Sequence, residues 1–172
     1  MDKHAHLLLT PREKGATSRL MQSLGRRYVG QLNARHRRTG TLWEGRYKSC
    51  LVDSGAYVLR CVQYIDLNPV RARMTDDPES YRWSSCRNHC GLQSSLLTPH
   101  PAYTCIGSNT QERSNAYRQV LHEPLADDEL QEIRAYLQQQ RALGSTRFQA
   151  MVQAKTQRFA GIRPPHRPRR NK

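Results

Sequence analysis

Three groups of residues in this 172-residue chain have the type and spacing to do chemistry. The first is His4-Ala5-His6. In an extended segment alternate side chains share a face, so both imidazoles can offer a nitrogen to one divalent metal. The second is Tyr64 with Asn68. Four residues apart on a helix, they share a face about 6 Å from one another. The phenol is a candidate nucleophile and the amide oxygen one turn on is a candidate metal ligand. The ordinary readings are an incidental pair of histidines, a half-buried helix tyrosine and an asparagine that stops a helix before Pro69. The third group is Cys86, His89 and Cys90. A Cys-x3-Cys without a second well-spaced pair lacks the ligand set of a structural zinc, and no zinc is assigned to it. Asp66 points away from Tyr64 two residues along the helix and receives no catalytic role.

The elements that must position these groups follow from periodicity and turn signals. Residues 1 to 9 read as a strand that ends at Thr10-Pro11. A helix is predicted from Thr17 to Arg37, with Leu20, Leu24, Tyr28 and Leu32 at four-residue spacing and Met21 and Val29 beside them. Thr39-Gly40 should stop it. Residues 41 to 52 read as extended, with Gly45 as a candidate bulge. Asp53 or Ser54 can cap a helix through AYVLRCVQYIDL, which should end at Asn68-Pro69 because a residue before proline disfavours helical angles. Residues 74 to 87 are polar and turn-rich, and 91 to 110 read as a loop with one short helix. Helices are expected over 111–121, 127–140 and 146–159. The segment 161–172 holds five Arg or Lys, three prolines and no acid, and should be disordered.

Composition narrows the class of partner. Lys and Arg total 28 against 14 acids, a formal net charge of +14 that is not confined to the tail. Such a chain seeks polyanions. No apolar run approaches the roughly 20 residues of a membrane span, and no signal peptide is recognisable. Five irregularly spaced cysteines fit reduced thiols and a cytoplasmic setting. Arg19, Arg26, Arg27, Arg46, Lys48, Arg71 and Arg73 are candidates to hold phosphates. Trp43 and Trp83 are read as core residues, with stacking on unpaired bases as the alternative, which Tyr47 shares.

The order of these pieces resembles that of the REP-associated tyrosine transposases, within the single-tyrosine HUH nuclease superfamily. The residues that carry the resemblance are HAHLLLTP at 4–11, TLWEGRYKSCLV at 41–52, YIDLNPVRARM at 64–74, YRWSS at 81–85 and LGSTRF at 143–148, with a basic Arg-Pro tail. It covers nearly the whole chain. It implies an α/β (α+β) fold: a ferredoxin-like antiparallel sheet with helices on one face and a helical C-terminal region. It implies a nuclease core over 1–90, a helical region over 91–160 and a basic tail over 161–172. The HUH strand of the family lies several dozen residues into the chain, whereas here it begins at residue 4, so the usual first strand and helix have no counterpart. An internal start or a decayed gene would each account for this.

The resemblance further implies Tyr64 as nucleophile, His4, His6 and Asn68 as ligands of Mg²⁺ or Mn²⁺, and hairpin-forming single-stranded DNA as substrate and partner. Cleavage would leave a 5′-phosphotyrosine and a free 3′-hydroxyl, and location would be cytoplasmic and nucleoid-associated. Two rival readings stand beside it: a DNA-binding protein without catalysis, and a basic RNA-binding protein. Whether the chain is a monomer or a homodimer is left open.

Overall fold

The computed structural model describes residues 4–55, 57–94 and 97–164. The chain forms two compact units, one of residues 8–48 and the other of residues 1–7 with 49–172. The smaller unit is built on α1, Ala16–His36. Gly15 enters it with φ +81°, and Arg37 leaves it in the left-handed region at φ +50°. The helix therefore stops two residues before Thr39-Gly40. The amide of Arg38 and the side chain of Asn33 close the turn, the latter donating to the Gly40 carbonyl at 2.8 Å. No residue of 8–48 is buried.

The larger unit holds β1 Leu51–Val52, α2 Tyr57–Asp66, α3 Asn68–Arg71, α4 Cys86–His89, α5 Pro101–Thr104, α6 Thr110–His122, α7 Asp127–Gln139, β2 Ala142–Leu143 and α8 Thr146–Thr156. The chain is thus mixed and helix-dominated. Helix starts follow their caps: Asn109 accepts from the Glu112 amide at 2.9 Å before α6, and Ser145 accepts from the Phe148 amide at 3.2 Å before α8. Helix α2 ends at Asp66, just before Asn68-Pro69, but the chain does not turn away there: a separate short helix, α3, opens at that pair. Pro69 sits in the first turn of α3, where its missing N–H costs nothing.

Helix α2 is the centre of this unit. Val58 and Val62 face a core made with Cys86, Cys90, Tyr103 and Tyr117. Cys61 and Tyr64 face a second core made with Ile133, Tyr136 and Leu143. Residues on both sides of position 90 therefore share the same packing. The buried Gln63 amide links α2 to the end of α6 by donating to the carbonyls of Val120 and Glu123, each at 2.5 Å.

The antiparallel ferredoxin-like sheet expected from the sequence is not what the described residues form. β1 and β2 pair in parallel, Leu51 opposite Ala142 and Val52 opposite Leu143, as a sheet of two strands. Residues 4 to 10 are irregular, as are 41 to 50 apart from bends. A strand requires a neighbour to satisfy its amides and carbonyls. Among the described residues only the β1–β2 pair supplies one. Residues 161–164 begin the basic tail and are tied down, because the Gln139 side chain exchanges two hydrogen bonds with the backbone of Arg163, at 2.8 and 2.9 Å. The rest of the expected disordered tail, 165–172, lies outside the described residues. No helix among the described residues is long and apolar enough to cross a membrane.

Candidate functional site

In the larger unit, His4, His6, Tyr64 and Arg71 stand together. The His4 and His6 rings meet edge to face with centroids 5.1 Å apart. The His6 ring meets the Tyr64 ring at 5.5 Å and 75°. Tyr64 comes to this point from α2, where the residue is only 8% exposed. The Arg71 guanidinium carbon lies 4.6 Å over the same ring, and an Arg71 N–H donates to the Tyr64 carbonyl. Helix α3 starts after Leu67 and carries Arg71 over the Tyr64 ring.

The electrostatics favour a neutral His6. Burial lowers its pKa from the ordinary 6.5, and the nearby His4 and Arg71 push it the same way. Its Nε2 is buried and has no hydrogen-bond partner. An uncharged imidazole with an unused nitrogen suits a metal ligand. Asn68 is buried at the start of α3. It no longer shares one continuous helix with Tyr64, so the four-residue spacing does not by itself align the two side chains. Among the described residues no cluster of three His, Cys, Asp or Glu side chains is placed to hold a metal ion.

The predicted phosphate-binding cations are divided. Arg19, Arg26, Arg27, Arg46 and Lys48 belong to the smaller unit. Arg73 is exposed at the end of α3, with φ +55°. Arg71 is half-buried and committed to Tyr64, which a reading of it as a surface arm could not show. The tryptophans are not core residues: Trp43 is 44% and Trp83 74% exposed.

A second polar cluster went unrecognised in the sequence. Asp66 is wholly buried and accepts from Ser85 Oγ at 2.5 Å, Tyr117 Oη at 2.7 Å and His89 Nδ1 at 2.9 Å. Tyr103 Oη donates to the His89 carbonyl at 2.8 Å. Burial and the adjacent Asp66 push the Tyr117 pKa well above the phenol range. The available signal was that Asp66 continues the Val58–Val62 face, which places a carboxyl on an otherwise apolar stripe. Cys86 and Cys90 lie beside this cluster with sulfurs 3.9 Å apart, while His89 turns to Asp66. These three do not converge as zinc ligands.

Comparison with protein-family models, curated proteins and solved structures found no match to the chain.

Proposed function

We propose that this protein cleaves and rejoins hairpin-bearing single-stranded DNA through Tyr64. The observation that carries the reading is the convergence of the His4, His6 and Tyr64 rings at 5.1 and 5.5 Å. The orphaned His6 nitrogen fits a ligand role, and His4 and His6 with Asn68 would hold Mg²⁺ or Mn²⁺. Bound there, such an ion would supply Lewis-acid polarisation of a phosphate. The Tyr64 oxygen forms a bond to phosphorus as the bond to the 3′ oxygen breaks. The phenol proton is released to solvent, and the departing 3′ oxygen takes one up and becomes a free 3′-hydroxyl. The 5′-phosphotyrosine keeps a phosphodiester, so rejoining needs no ATP. Arg71 holds the Tyr64 ring from one side and so positions the phenol.

A denaturing gel tests this. The full chain is incubated with a hairpin-bearing single strand labelled on the 3′ side of the cut, with manganese or magnesium. A protein–DNA adduct is expected, and Tyr64→Phe should abolish it. Equal adduct from Tyr64→Phe would overturn the nucleophile assignment.

The slight exposure of Tyr64 favours a second reading, a hairpin-binding protein without catalysis. It requires that salt-sensitive binding survive His4→Ala, His6→Ala and Tyr64→Phe and that no adduct form. Competition with matched RNA separates both readings from an RNA-binding role.

A further inference from the structure

The positive charge of this protein is concentrated. Residues 8–48 carry ten Lys or Arg against Glu13 and Glu44, a net of +8. The segment 161–172 adds five more cations, so the other 119 residues are almost neutral. The unit that holds the +8 also buries none of its residues. Tyr28 and Trp43, 49% and 44% exposed, stand with ring centroids 6.0 Å apart at a 32° tilt. Trp43 reaches α1 beside Gly25, where there is no side chain to push it off. A different side of α1 carries a concavity of about 230 Å³ lined by Arg19, Gln22, Ser23, Arg26 and Arg27. Among the described residues only Arg19 of these pairs with an acid, Glu13.

We infer that residues 8–48 form a binding site for single-stranded DNA, in which an unpaired base stacks on Trp43 beside Tyr28 and the Arg26–Arg27 side of α1 takes backbone phosphate. The inference shares its ligand with the proposed function but uses none of the residues of the Tyr64 site. The physical case has three parts. Exposed aromatic rings offer a stacking face that any base can use. Eight of the ten cations are arginines, whose planar forks match phosphate oxygens better than an ammonium does. The ring separation is less than about twice the 3.4 Å base spacing, so a base stacks on the outer face of the pair and is not sandwiched. An anionic membrane is the rival polyanion. A helix lying in a membrane surface needs an apolar side along its whole length. At 100° per residue, Gln31 and Arg35 fall on the side that Leu20, Leu24 and Tyr28 begin, which interrupts it.

The test uses the full chain carrying Tyr64→Phe, so that no cleavage occurs, and Trp83→Phe, so that Trp43 is the one tryptophan left. Its fluorescence is titrated with a 12-nucleotide oligothymidylate, the same length of duplex, oligouridylate, and vesicles of phosphatidylserine and phosphatidylcholine. Quenching by oligothymidylate is expected, with weaker binding to duplex. Trp43→Ala, followed by anisotropy of labelled DNA, should weaken binding roughly 5- to 150-fold, the range for one stacked base. Trp43→Phe keeps a stacking ring and should restore most of the loss, which separates stacking from misfolding. The Arg26→Ala, Arg27→Ala pair should flatten the salt dependence by about 1.4 in slope, since each phosphate contact on a single strand contributes about 0.7. Unchanged affinity in Trp43→Ala, tighter binding to oligouridylate, or a response to vesicles alone would overturn the inference. The wild-type adduct assay runs in parallel. An adduct without a Trp43 effect defeats this inference alone, and stacking without an adduct defeats the cleavage reading alone.

Discussion

The phenol of Tyr117 donates a 2.7 Å hydrogen bond to Asp66, joining α6 to the last residue of α2 inside the core. Both residues are fully buried. Asp66 is served there by Ser85 and His89 as well, so three elements meet on one carboxyl group. Tyr117→Phe keeps the ring contacts with His89 and Tyr103 and removes one donor. A buried acceptor that loses a partner costs about 1–3 kcal/mol. The variant should therefore unfold at lower urea with an unchanged slope, and an identical midpoint would show that the hydroxyl contributes nothing.

Cys61 should be inert in the folded protein and should make stability fall in alkali. It lies on α2 within the second core, and burial first, with Cys50 and Glu132 adding to it, pushes its pKa from 9.0 up to about 12. The sign follows from linkage. Between pH 9 and about 12 the unfolded thiol has lost its proton while the folded one keeps it, so the unfolded state binds fewer protons and stability declines as pH rises. Cys61→Ala should show a shallower alkaline decline than the parent. In native protein a maleimide should label the exposed Cys105 first, with Cys61, Cys86 and Cys90 reacting only after denaturant is added. Rapid native labelling of Cys61 would show that the core around α2 opens readily.

What the sequence made legible was local. Helices expected over 17–37, 111–121 and 127–140 occupy Ala16–His36, Thr110–His122 and Asp127–Gln139, because a 3.6-residue stripe is read from neighbouring turns, and before α6 the Asn109 cap adds a second local signal. Pairing was not legible. Leu51 is matched with Ala142 across most of the chain, and a two-residue strand carries no periodicity of its own. The turn of Asp66 away from Tyr64 follows from helix geometry alone, but its three partners come from α6 and the segment around α4. Arg71 reads as a free surface cation until α3 is known to continue past Pro69. The nearness of His6 to Tyr64 likewise has no local signature. Only the resemblance to a family pointed to that pair.

Gly91 should tolerate no side chain. Its φ of +72° is a region that L-residues enter at a cost, and a Cβ there would lie 2.7 Å from Ser114 Oγ in α6. The left-handed conformation alone costs about 1–2 kcal/mol. Gly91→Ala should lose at least that much stability. Adding Ser114→Ala removes the clashing oxygen but leaves the backbone strain, so the double variant should recover part of the loss relative to Ser114→Ala alone. Full recovery would mean that the chain relaxes to a negative φ at position 91.

Arg71 and Arg73 stand two residues apart and should behave in opposite ways. Arg71 is held over the Tyr64 ring and bonded to the Tyr64 carbonyl, so its charge is already engaged within the protein. Arg71→Ala should lower stability by about 1–2 kcal/mol, the sum of a partly desolvated cation–π contact and a lost hydrogen bond. If Tyr64 cleaves DNA as proposed, Arg71→Ala should also slow adduct formation more than it weakens DNA binding, because the attacking phenol would lose its support. Arg73 is exposed beyond the end of α3. Arg73→Ala should leave the urea midpoint within about 0.5 kcal/mol of the parent and, if the residue meets a phosphate, reduce the salt slope by about 0.7. Measuring midpoint, salt slope and adduct rate on both variants separates a residue that positions the phenol from one that holds the strand. If Arg71→Ala changed only the salt slope, its guanidinium would be reaching DNA and the contact with Tyr64 would have no part in the chemistry.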